Sequence, residues 1–189
     1  MSTWLKIVLA LFVAALVAVG IGLAYLYSGA YNVAATDEHA GLVRWALNTT
    51  QERSIRAHAD ERPIAVPQDS AALRRGFAAF EEMCVICHGA PGVERGWMGQ
   101  GMNPTPPDLN EEAEEFSPQE LHWILSNGIK MAGMPALSPT HGEEEILEIV
   151  AFLQHLPAMS EDEYERWRAA ADSAAPDSTG QDGHRGHTH

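Results

Sequence analysis

Both cysteines of this 189-residue chain fall inside one five-residue run, Cys84-Val85-Ile86-Cys87-His88. The spacing is C-x-x-C-H, and it limits the fold more than any other feature of the chain. Two thiols about one helical turn apart can each form a thioether with a vinyl group of a haem, and the following imidazole then lies within reach of the iron. Two other chemistries use a similar pair. A dithiol redox site needs a βαβ setting, and the neighbouring sequence is helical in pattern. A zinc site normally takes four ligands. No second cysteine pair exists, so His122, His141 or His155 would have to complete the set. The adjoining histidine favours covalent haem c, one per chain, held by Cys84 and Cys87 with His88 as an axial ligand.

The second strong constraint lies at the N-terminus. Leu5 to Tyr27 is almost wholly apolar, with Lys6 as its only charge. A signal peptide has an apolar region of ~7–15 residues, whereas a spanning helix needs ~20. Trp4, Tyr25 and Tyr27 stand at the ends of the run, where interfacial aromatics are expected. The length predicts a retained transmembrane anchor over residues 1–30, the alternative being a leader cleaved near Ser28-Gly29-Ala30. Lys6 and the amino terminus place the N-terminus in the cytoplasm by the positive-inside rule. The expected location is therefore the cytoplasmic membrane, single-pass, with the rest of the chain on the periplasmic side.

Charge narrows the partners. The net charge is −14, from 26 acidic and 12 basic residues, and Pro67 to His189 carries 21 of those acids against 7 bases. Nucleic acid is excluded as a partner because its phosphates would be repelled. Redox proteins with a basic docking face fit such a surface.

Between the anchor and Pro67, residues 31–66 form a juxtamembrane segment. Leu42, Val43, Trp45, Ala46 and Leu47 predict a short amphipathic helix reaching toward His58, ended by Pro63 and Pro67. Four helices are predicted after it. The first is capped by Asp69 or Ser70 and runs to about Met83, with Leu73, Phe77 and Phe80 on one side. The second has Ser117 as N-cap, Pro118 at its first position, Glu120 closing a capping box and Gly128 at its end. A third starts from a capping box at Thr140 and Glu143 and stops before Pro157. A fourth, short one leads from Ser160 and Glu163 into Tyr164 and Trp167. No stretch alternates with period two, so the fold class is all-α. The helical domain spans 67–158. Residues 159–189 hold the short helix and a tail, expected to be disordered from Asp172 on, which carries His184, His187 and His189.

A further ligand for the iron is expected between Gly128 and Ala136, where Met131 and Met134 are both available. On these residues alone the choice stays open. Thioether ligation disfavours the ferric state and raises the potential.

From Asp69 to Leu156 the chain resembles the class I cytochrome c family. The likeness is carried by Cys84-x-x-Cys87-His88 with Gly76 and Phe80 in the helix before it, by Met134-Pro135-Ala136 in a loop, and by Ile149-x-x-Phe152-Leu153 in the helix after it. The resemblance implies an all-α domain around one haem. It implies His88 and Met134 as axial ligands, since the family's ligand is the methionine before a proline. It also implies close packing of the first helix on the last at Gly76, and a proline carbonyl holding the axial imidazole. Pro104, Pro106 and Pro107 are available for that bond, with Pro106 taken as the candidate. Leu109 and Trp123 are expected to pack on the haem. The implied activity is single-electron transfer between respiratory partners rather than catalysis. The alternatives are a haem subunit of a larger membrane oxidoreductase, or a five-coordinate haem that binds a gas or peroxide.

Overall fold

A computed structural model describes residues 2–60 and 62–174, and the tail histidines lie outside them. The structure divides into two units, residues 1–38 and 39–189. The first holds α1 (Thr3–Tyr27), 25 residues that include an 18-residue stretch with a mean hydropathy of 2.9. At 1.5 Å per residue such a helix is about 37 Å long, more than the ~30 Å hydrocarbon thickness of a bilayer.

The second unit is helical, and no strand occurs among its described residues. It contains α2 (Gly41–His58), α3 (Ser70–Met83), α4 (Val85–His88), α5 (Trp97–Gln100), α6 (Leu109–Glu112), α7 (Pro118–Asn127), α8 (Glu143–His155) and α9 (Glu161–Ala174), with short 3-10 turns at Ala113–Glu115 and Leu156–Ala158.

Local chemistry accounts for most of the helix starts. The Asp69 carboxylate accepts from the backbone amides of Ala71 and Ala72 at 3.0 and 2.9 Å, capping α3. Ser117 and Glu120 form the reciprocal capping box of α7, with Ser117 N donating to Glu120 Oε2 at 2.8 Å and Glu120 N to Ser117 Oγ at 3.3 Å. Ser160 Oγ accepts from Glu163 N at the start of α9. The capping box at Thr140 does not form. Gly142 is the N-cap of α8 and offers no side-chain bond, because Thr140 sits in the preceding turn, with its hydroxyl against the Leu137 carbonyl and His141 Nδ1. Three acids, Glu143, Glu144 and Glu145, fill the first turn of α8, where the helix dipole favours negative charge.

Helix α8 is the centre of the unit. Ile146, Ile149, Val150, Ala151, Phe152 and Leu153 are all buried. Helix α3 meets it through Ala72, Gly76, Phe77 and Phe80, while Leu73 is only half-buried. The closest approach is at Gly76, where an added methyl would overlap the Glu148 carbonyl. Glu148 is itself buried within this contact, and Arg75 Nε donates to its carboxylate at 2.7 Å. A buried carboxylate is costly unless paired in this way.

Helix α9 closes the core from the other side. Phe77 meets Phe152, Tyr164 and Trp167 edge-on, with centroids 5.4, 5.4 and 5.7 Å away. Such pairs contribute about 0.5–1.5 kcal/mol each beyond burial. Arg74 stacks over Trp167 at 5.0 Å. The helix continues to Ala174, so residues 172–174 are helical where the composition predicts disorder. The packing of Tyr164 and Trp167 carries the chain past the point where apolar periodicity fades.

Candidate functional site

The C-x-x-C-H run is built as a single helical turn at the end of α3. Cys84 is the C-cap of that helix, and its carbonyl accepts from both Cys87 N at 3.0 Å and His88 N at 2.9 Å. Gly89 ends the turn with φ +72, a left-handed conformation open to glycine, and a methyl there would stand 2.7 Å from the Val93 carbonyl. The chain then reverses tightly, with Ala90 and Val93 bonded to each other. Gly99 of α5 lies so close to the Cys87 carbonyl that a methyl would overlap it. Gly96 N donates to the Ile86 carbonyl at 3.0 Å. The glycines of the loop thus hold it against the backbone of the motif.

Both cysteines are free and half-buried. Burial, and then the nearby Cys87, push the Cys84 thiol up to about 12. It therefore stays protonated, which disfavours the thiolate chemistry of a dithiol redox site. Among the described residues no strand exists to supply a βαβ frame, and no cluster of three or more His, Cys, Asp or Glu is arranged around a metal. The histidines that a zinc site would have required lie elsewhere. His122 Nε2 is 2.9 Å from Glu143 Oε1, off the hydrogen-bond angle. His141 Nδ1 lies 3.3 Å from the Leu137 carbonyl. His155 stacks on Trp167 at 5.8 Å.

His88 Nδ1 donates to the Pro107 carbonyl at 2.9 Å. A carbonyl only accepts, so the proton sits on Nδ1 and the Nε2 lone pair is free for a metal. Burial holds the imidazole pKa below its ordinary value, keeping it neutral, the form that ligates iron. The partner is Pro107, not Pro106. Pro106 is buried, while Pro107 lies at the surface, and the next two residues open α6 through the Asp108 cap.

The methionine loop is folded back on the end of α7. Gly128 has φ +65, and a methyl there would stand 2.6 Å from Ala136 N and 2.7 Å from the Met134 carbonyl. Ile129 N donates to Met134 O at 3.1 Å. Met134 is half-buried and packs on the same core cluster as Cys84 and Leu109. Met131, with φ +58, is 99% exposed. Sequence reasoning missed Met102, whose methyl fills the space beside Gly133. It also missed the surroundings of Trp123, whose ring lies 5.9 Å from that of His58 on α2.

These residues fit a haem c. Two reduced thiols, a neutral oriented imidazole and a thioether packed on the same core form a donor set suited to a covalently held porphyrin iron. A cleft of about 990 Å³ opens beside His88, lined by Pro91, Arg95, Asp108 and Met159 among others, but neither cysteine nor Met134 lines it.

Residues 71–153 match the family model described as "Cytochrome C oxidase, cbb3-type, subunit III". No curated protein matches the chain.

Proposed function

We propose that this chain, whose residues 71–153 form a c-type cytochrome domain that takes haem c, is a membrane-anchored carrier of single electrons. In this reading Cys84 and Cys87 would hold the porphyrin, and His88 and Met134 would ligate its iron. The haem supplies a one-electron couple. The chain's own residues fix the imidazole, bury the macrocycle against the α3–α8 core and set the potential.

The observation that carries the reading is the His88–Pro107 hydrogen bond at 2.9 Å. Partners of this kind fix the tautomer and ring orientation of a metal-bound histidine. With His88 and Met134 both as ligands, the iron would keep no open position, which would favour electron transfer over gas or peroxide chemistry. The test is the spectrum of the reduced protein with carbon monoxide. A protein ligated by both residues leaves the spectrum unchanged. A prompt change would reveal an open iron and support gas or peroxide binding.

Helix α1 supports an anchor that spans the cytoplasmic membrane, with Lys6 on the cytoplasmic side and the haem domain in the periplasm. The acidic surface fits a partner with a basic face. Raising ionic strength should then slow electron transfer, because salt screens the attraction. The family description favours one further reading, in which the chain is the haem subunit of a larger membrane oxidoreductase. Isolation with α1 intact separates the two, since a subunit copurifies with its complex in fixed stoichiometry.

A further inference from the structure

Helix α2 shows two different surfaces along its length. Its second half is gripped by the haem domain. Ile55 is 1% exposed, the His58 ring lies against Trp123, and Arg62, just beyond the helix, accepts at its carbonyl from Gln119 Nε2 at 3.4 Å. Its first half is bare. Leu42, Val43, Trp45 and Leu47 are 75, 36, 64 and 52% exposed. At 100° per residue, Leu42, Val43 and Ala46 fall on the side of the helix opposite Ile55, and Trp45 and Leu47 flank them. An ordinary connector helix has no reason to expose such a patch.

We propose that the first two turns of α2, Gly41 to Leu47, lie in the headgroup region of the membrane that α1 enters, so that α2 braces the haem domain at a fixed distance from the lipid. This rests on the anchored reading given above. Three observations favour lipid as the occupant. Residues 28–40 join α1 to α2, a tether that spans at most about 45 Å when fully extended, short enough to keep the patch within reach of the bilayer surface. An aromatic, Trp45, stands among aliphatic residues, the composition of interfacial helices. The helix also carries Arg44, Arg53 and Arg56 against a single acid, Glu52. Most of the chain's acidity belongs to residues 67 onward, so the three bases and one acid of this helix suit anionic headgroups, with Asp37 and Glu38 in the tether just before it.

The test uses the full haem-loaded chain in vesicles of phosphatidylethanolamine and phosphatidylglycerol. A nitroxide is placed on Val43→Cys and, as the aqueous reference, on Gln154→Cys, an exposed position of α8. The unsubstituted chain serves as the blank. Oxygen should relax the label at position 43 more strongly than a water-soluble nickel chelate does, with the reverse order at position 154. An alkaline carbonate wash reports the anchor separately: extraction of the chain would overturn the anchored reading itself. If the chain resists carbonate and the label at 43 is as open to nickel as that at 154, the brace is overturned. Protection seen in native membranes but lost in pure lipid would also overturn it, and would assign the patch to a membrane protein.

Discussion

The Nδ1 proton of His88 is held by the carbonyl of Pro107, nineteen residues further along the chain. That bond makes the loop between them part of the site. Its glycines bring the loop onto the backbone of the motif, and α6 begins directly after the proline. Ring orientation and loop closure are therefore set together.

The two methionines should behave differently. Met134→Ala should leave the haem attached, open the iron to carbon monoxide and lower the potential by a sizeable part of the roughly 0.8 V that axial ligation spans. Met131 is fully exposed, so Met131→Ala should match the parent in redox titration and carbon monoxide difference spectra. The opposite pattern would move the ligand to Met131.

Gly76 has no room for a methyl beside the Glu148 carbonyl. Gly76→Ala should push α3 from α8 and cost about 1–3 kcal/mol. Urea unfolding of the haem-loaded protein reads this as a lower midpoint with an unchanged slope. An unaltered midpoint would mean the two helices separate freely.

Ile55 tests whether α2 belongs to the fold. It lies outside the matched family region yet is fully buried. Ile55→Ala should cost about 2–5 kcal/mol in the same unfolding measurement. A cost near zero would make α2 a loose connector.

Tyr164 gives a pH signature. Burial, and then its hydrogen bond to Glu81, raise its pKa above the ordinary tyrosine value. The folded state therefore keeps a proton that the unfolded chain releases above about pH 10. Where the unfolded state binds fewer protons, stability falls as pH rises. Stability should decline from about pH 10 upward, and Tyr164→Phe should flatten that decline. An alkaline limb of the same slope in the variant would place its cause elsewhere.

Much of the architecture was legible because it is written in local chemistry. The Asp69 cap, the Ser117–Glu120 box and the Ser160 start each need only neighbouring residues. Gly76 was legible through the resemblance, since a residue without a side chain in an apolar helix face invites a close crossing. Apart from Thr140, what was missed is nonlocal. Thr140 has the spacing of a cap, but its hydroxyl is engaged by the turn before the helix. Three prolines lie close together, and only the path of the loop decides which carbonyl meets His88. Trp123 has His58, sixty-five positions upstream, beside it, a neighbour that no local pattern announces. Met102 gave no pattern signal, because its proximity to Gly133 depends on two loops folding toward each other.

The central claim is that Cys84 and Cys87 carry one haem through thioether bonds. Its most direct test is the intact mass of the denatured full chain, purified from the membranes of a host that matures c-type cytochromes. The parent chain should run as a single species heavier than the polypeptide by one haem, with Cys87→Ser sharply reducing the haem retained. A parent chain whose mass equals that of its amino acids alone would contradict it.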